Sequence, residues 1–114
     1  MERVLLALNW GEPDRVPIDM GGLVSSVHLF AYQDLTRFLG MNTTPVVKDR
    51  IQQIVDPDEA LLRRFDVDFR HISLRPPDDW TFREFQDPSG RPAFVDEWGI
   101  KWGRGLYYYD MIDH

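Results

Sequence analysis

The sequence contains no cysteine, so neither a disulfide nor a thiolate metal ligand can form within it. It also lacks any apolar run near the ~18 residues that a membrane-spanning helix requires. Its opening residues are too short and too acidic for a signal peptide. Positive charge is scarce: 13 Lys and Arg stand against 19 Asp and Glu, a formal net charge of -6, and no basic run occurs. Phosphate contacts favour clustered cations, so nucleic acid is not an expected partner. With no membrane segment either, the expected location is the cytoplasm. Internal repeats and low-complexity tracts are absent as well.

Aromatic residues, by contrast, are plentiful: seven Phe, four Tyr and four Trp, many in the last third of the chain. Rings at this density are expected to pack a core. Val4, Leu5, Leu6 and Leu8 suggest a short opening helix, stopped by Asn9, Gly11 and Pro13. Val16 to Met20 reads as a short buried strand ended by Gly21-Gly22. A helix follows, with Ser25 or Ser26 as cap, Val27, Phe30, Ala31, Leu35 and Phe38 as its apolar stripe, and Gly40 as its stop. Residues 46–55 fit a helix or an extended segment equally. Asp56 is a natural N-cap, Pro57 fits a first turn, and Glu59 completes a capping box, giving a helix through Leu61 and Leu62 to about Phe65. Val67 to Leu74 reads as a second strand, ended by Pro76-Pro77. Residues 93–98 and 100–109 read as a hairpin around Gly99. This order is mixed α/β, compatible with the opening of a parallel barrel or with a small α+β domain.

Three segments narrow that choice. Residues 3–9 with Glu12-Pro13-Asp14-Arg15-Val16-Pro17-Ile18, residues 58–70, and Asp96-Glu97-Trp98-Gly99-Ile100-Lys101-Trp102 resemble, in order and spacing, the start of uroporphyrinogen decarboxylase-like proteins. The resemblance implies the N-terminal portion of a (β/α)8 TIM barrel. About two barrel strands, 16–20 and 67–74, would lie in residues 1–114 as a single partial domain, with a β-hairpin near the C-terminus.

Two departures bear on chemistry. Porphyrin decarboxylases of this group carry an arginine-bearing segment after the first strand, whereas Met20-Gly21-Gly22-Leu23-Val24-Ser25 stands here. They also carry a catalytic aspartate after the next strand, whereas His71-Ile72-Ser73-Leu74-Arg75 has no carboxylate. The resemblance is closer to the methyltransferase branch, whose members move a methyl group to or from a corrinoid cofactor. It implies part, or a small subunit, of such an enzyme, inactive alone, with the corrinoid carried by a partner protein. A zinc, if used, would be held by ligands outside this chain, and no metal ligand is assigned within it. A (β/α)8 barrel takes about 250 residues, so a larger chain is expected to complete the barrel. The alternatives are a decarboxylase-like enzyme acting on a non-porphyrin substrate and a non-catalytic assembly or regulatory subunit.

Active sites of such barrels lie at the C-terminal ends of the strands. That rule selects Asp19, Met20, Gly21, Gly22 and Ser25 after the first strand, and Ser73 and Arg75 after the second. Gly21 and Gly22 admit close approach of a ligand to the backbone, or serve as a plain turn. Asp19 is a candidate to orient substrate or accept a proton, or is a solvated strand-end carboxylate. His28 is a candidate donor or base, or a structural histidine. Arg75 suits an anion, or a surface ion pair. Of Arg70 and His71, neighbours in a strand, at most one faces inward. Asp96 and Glu97 likewise point apart, which makes the hairpin a structural or partner-contacting element with Trp98 and Trp102 burying its inner face.

Overall fold

A computed structural model describes residues 2–113; Met1 and His114 lie outside the described residues. Helix α1, Glu2–Leu8, ends where Trp10 takes a left-handed backbone (φ 59°) and the Gly11 N–H returns to the Leu6 carbonyl at 2.8 Å. None of its residues is buried.

Helix α2, Leu29–Phe38, is capped by His28 rather than by Ser25 or Ser26; the His28 ring accepts from the Phe30 N–H. Its stop falls at Gly40, which has φ 64° and donates to the Arg37 carbonyl. The buried stripe is turned from the expected one. Tyr32 and Thr36 face the core, while Phe30 and Phe38 are exposed. A tyrosine ring and a threonine whose hydroxyl returns to the Tyr32 carbonyl satisfy burial better than position counting suggests.

The undecided segment 46–55 is a hairpin. Strand β1, Val46–Asp49, pairs antiparallel with β2, Ile54–Asp56, and the Asp49 carboxylate accepts the Gln52 N–H in the turn. Helix α3, Glu59–Arg64, starts two residues later than its capping pattern indicates. Asp58, not Asp56, is the N-cap, accepting from Leu61 N–H at 3.0 Å. Glu59 then sits in the first turn and pairs with Arg63 and Arg70 instead of reaching back. Tyr32, Val55 and Leu61 form the buried core, with Met20, Val27, Leu29, Leu35, Leu39 and Met41 against it.

The remaining strands are β3 (Glu84–Gln86), β4 (Pro92–Val95), β5 (Lys101–Arg104) and β6 (Tyr109–Asp113), an antiparallel meander in sequential order. The turn around Gly99 (φ 85°) joins β4 to β5. Asp96 organises it, accepting from the N–H groups of Trp98 and Ile100 and from the Trp102 indole. Trp98 stands 77% exposed rather than packed under the hairpin.

This architecture overturns the expectation of a partial (β/α)8 barrel. Both sheets are antiparallel, of two and four strands, and among the described residues no strand pair is parallel. Neither 16–20 nor 67–74 is a strand. The two segments do run side by side, with the Asp68 N–H on the Ile18 carbonyl at 2.9 Å. The ladder does not propagate for local reasons. Pro17 has no N–H to give, and the Ile18 N–H goes to the Asp68 carboxylate at 2.8 Å instead of to a carbonyl. Beyond Asp68, residues 69–79 are exposed throughout.

The chain is extended for its length. Its radius of gyration is 17.5 Å, against about 13 Å for a compact domain of this size. Val24, Ile72, Leu74, Leu8, Trp10 and Phe38 are each more than two-thirds exposed.

Candidate functional site

Four of the expected site residues meet in space and the others lie apart from them. Asp19, Gly21, Gly22 and Ser25 come together at the end of the first extended segment. The Ser25 hydroxyl donates to Asp19 Oδ2 at 2.5 Å and accepts the Gly22 N–H at 2.9 Å. Both glycines are buried although Asp19 is exposed. A Cβ on Gly22 would lie 2.8 Å from Ser25 Oγ, 3.4 Å from Asp19 Oδ2 and 3.6 Å from the His71 ring. Glycine is therefore needed here by the close approach of three polar side chains. Met20 is half-buried against the core and turns away from this group.

Ser73 and Arg75 do not join them. Both are exposed in the strandless stretch, and Arg75 makes no ion pair among the described residues. His28 is held elsewhere. Its Nδ1 accepts from Phe30 N–H at 3.2 Å, so Nε2 carries the proton and donates to the Tyr107 carbonyl at 3.0 Å. The rings of Phe30, Tyr107 and Tyr108 stand edge-on around it. Both nitrogens are thus engaged in joining α2 to the loop before β6.

Two residues complete the first group that sequence reasoning passed over for this role. Lys48 Nζ donates to the Gly21 carbonyl at 2.5 Å and to His71 Nδ1 at 3.2 Å, with an Asp56 carboxylate oxygen 3.7 Å away. The Lys48 side chain is only 7% exposed. An ammonium has no lone pair, so His71 Nδ1 must accept, and in the neutral ring the proton sits on Nε2. The usable signal was a lone lysine directly after Val46-Val47, since a lysine packed among apolar neighbours needs a partner for its charge. His71 was legible only as one of two opposed strand neighbours.

A separate ion-pair network ties residues 3–15 to residues 66–68. Arg3 pairs with Asp14 at 2.5 Å and with Asp68 at 2.6 Å, and Arg15 pairs with Asp66 and Asp68 at 2.7 Å each. The Ile18 N–H, together with Arg3 and Arg15, holds the Asp68 carboxyl down at about 2. Arg3 does the same for Asp14, also about 2. These groups are occupied with one another and are architectural.

Among the described residues no three His, Asp or Glu side chains come close enough to hold a metal ion. The described residues do not fit a zinc site. No described helix is long and apolar enough to cross a membrane. Chemically, the group at Gly21–Gly22 offers hydrogen-bond donors, a carboxylate and a buried cation around a buried glycine pair. Comparison with family models, curated proteins and solved structures finds no match for this chain.

Proposed function

We propose that this chain is part, or a small subunit, of a methyltransferase of the uroporphyrinogen decarboxylase-like group. In this reading the enzyme moves a methyl group to or from a corrinoid carried by a partner protein, and the chain works against a larger polypeptide. The observation that carries the reading is the ion-pair network. Arg3, Asp14, Arg15, Asp66 and Asp68 all belong to the first two segments on which the resemblance rests, and they bind those segments to each other. The motif residues thus act as a unit rather than as scattered matches. The exposed apolar surface supports a partner chain, since a monomer seldom leaves so many large side chains in water.

The contribution assigned to this chain is binding and orientation. Asp19, Ser25 and His71 would supply a ligand's polar contacts beside the buried Gly21–Gly22 pair. A second reading, a non-catalytic assembly subunit, is favoured by one observation: His28, a candidate base, spends both ring nitrogens on structure.

The test is anaerobic demethylation of methylcob(III)alamin, followed by its visible absorbance, with the protein purified in its native assembly. The methyltransferase reading expects turnover that falls at least about tenfold in Gly22→Ala, where the added Cβ meets Ser25 Oγ at 2.8 Å. A stable assembly with no turnover on any corrinoid substrate sinks that reading and selects the assembly subunit.

A further inference from the structure

Two stretches of extended backbone keep unpaired hydrogen-bonding edges. From residue 67 to residue 77 the chain has neither turn nor bend, and residues 69–79 are exposed. No backbone N–H or C=O from His71 to Pro76 is hydrogen-bonded among the described residues. Ile72 and Leu74, two residues apart and so on one face, are 91% and 97% exposed. The second edge is the outer side of β6, the last strand of the four-stranded sheet. Tyr109 gives its N–H outward to the Ile51 carbonyl at 2.8 Å. By the alternation of an antiparallel ladder, the N–H and C=O of Met111 face outward as well. Strand β6 contains neither the proline nor the lysine that commonly blunts an edge. Phe94 pairs with Trp102 and Trp102 with Met111, an apolar row across the sheet that ends at Met111, 57% exposed.

We propose that these edges pair between two copies of the chain, residues 72–75 of one copy adding antiparallel to the outer edge of β6 in the other. In the register that sets Arg75 opposite Asp110, Leu74 falls opposite Met111 and Ser73 opposite Ile112. Arg75 and Asp110 are both exposed, and neither makes an ion pair among the described residues, so this register joins two unused opposite charges. Leu74 exchanges backbone hydrogen bonds with Met111 and lengthens the Phe94–Trp102–Met111 row by one strand. Ile72 lies diagonally beside Met111 on the same face. One position further on, Pro76 has no N–H to give, and it falls opposite Tyr109, whose N–H is already used. The ladder therefore ends where both sides run out of donors. Because each copy carries both edges, reciprocal exchange closes a twofold dimer.

This inference rests on the two edges and not on the function proposed above. Sedimentation equilibrium of the full chain is expected to show a monomer–dimer equilibrium. Arg75→Glu and Asp110→Lys each set like charges opposite one another twice per dimer, and each should weaken association at least about tenfold. An equimolar mixture of the two variants should recover the parental strength, because in the mixed dimer every residue 75 again meets an opposite charge at residue 110. Leu74→Pro removes the N–H given to Met111 and should leave a monomer. All three positions are exposed and outside the core, so the variants keep the parental fold, checked by circular dichroism. A parental chain that stays monomeric at about 100 µM overturns the inference. So does parental association in any single variant, or a mixture that associates no more strongly than its components.

Discussion

Replacing Asp96 should loosen the β4–β5 hairpin by an amount that the geometry sets. The Asp96 residue is 6% exposed, and its carboxylate accepts three donors: the N–H groups of Trp98 and Ile100 at 3.0 and 2.9 Å, and the Trp102 indole at 2.8 Å. Hydrogen bonds to a charged acceptor contribute roughly 1.5–3 kcal/mol each where water cannot substitute. Trp98 sits at the exposed tip, so water replaces the carboxylate at its N–H with little loss. The indole and the Ile100 N–H are the costly donors to leave bare. Asp96→Ala is therefore expected to destabilise the hairpin by about 3 kcal/mol, a rise on the order of a hundredfold in hydrogen exchange at the Ile100 amide. Asp96→Asn keeps an acceptor for the backbone but turns an amide N–H toward the indole, and should cost about half as much. Trp102→Phe in the Asp96→Ala background should add little, giving a coupling of about 1–2 kcal/mol. Exchange within about 0.5 kcal/mol of the parent in Asp96→Ala, or additive single-variant effects, would refute this account of the turn.

Further expectations concern the core, the cap and pH. Leu61→Ala removes a fully buried side chain beside Tyr32 and Val55 and should cost about 2–5 kcal/mol in urea unfolding; a change below 1 kcal/mol would mean that this core does not bear on stability. Asp58→Ala removes the acceptor of the Leu61 N–H and should cost about 1 kcal/mol, whereas Asp56→Ala should cost less. The carboxyls of Asp14, Glu59 and Asp68 are held at about 2 by their arginine partners and, first for Asp68, by the Ile18 N–H. Because these values lie below those of the unfolded chain, their stabilisation is complete above pH ~4.5 and is lost as pH falls toward ~2. A melting temperature that stays level from pH 5 to pH 2 would contradict this, and high salt should reduce the effect.

Local chemistry was the most legible part of the sequence. Gly40 and Gly99 marked turns because only a left-handed backbone closes them, and both have positive φ. The helix at Leu61–Leu62 was readable from its cap chemistry, though three acidic residues within four positions offered more than one cap and Asp58 took the role. The stripe on α2 misled because Phe30 and Phe38 score as core by hydropathy, while Tyr32 satisfies its hydroxyl at Asp58 and so takes the buried face. Strand pairing was legible only in the hairpin around Gly99, where β4 pairs with β5. Residues 16–20 and 67–74 have strand-like composition, but pairing depends on Pro17 and on where the Ile18 N–H goes, which periodicity does not encode. The site was half visible. Asp19, Gly21, Gly22 and Ser25 are near neighbours in the chain and meet, whereas Lys48 and His71 join them only through the docking of β1, and Ser73 and Arg75 stay in solvent.

The claim that this chain works only within a larger assembly is tested most directly by native mass spectrometry of the protein purified untagged from its source cells. The account predicts a stable complex with another polypeptide, large enough to cover the apolar side chains of Val24, Ile72, Leu74 and Phe38. A well-behaved lone monomer that exposes these residues without aggregating would contradict it.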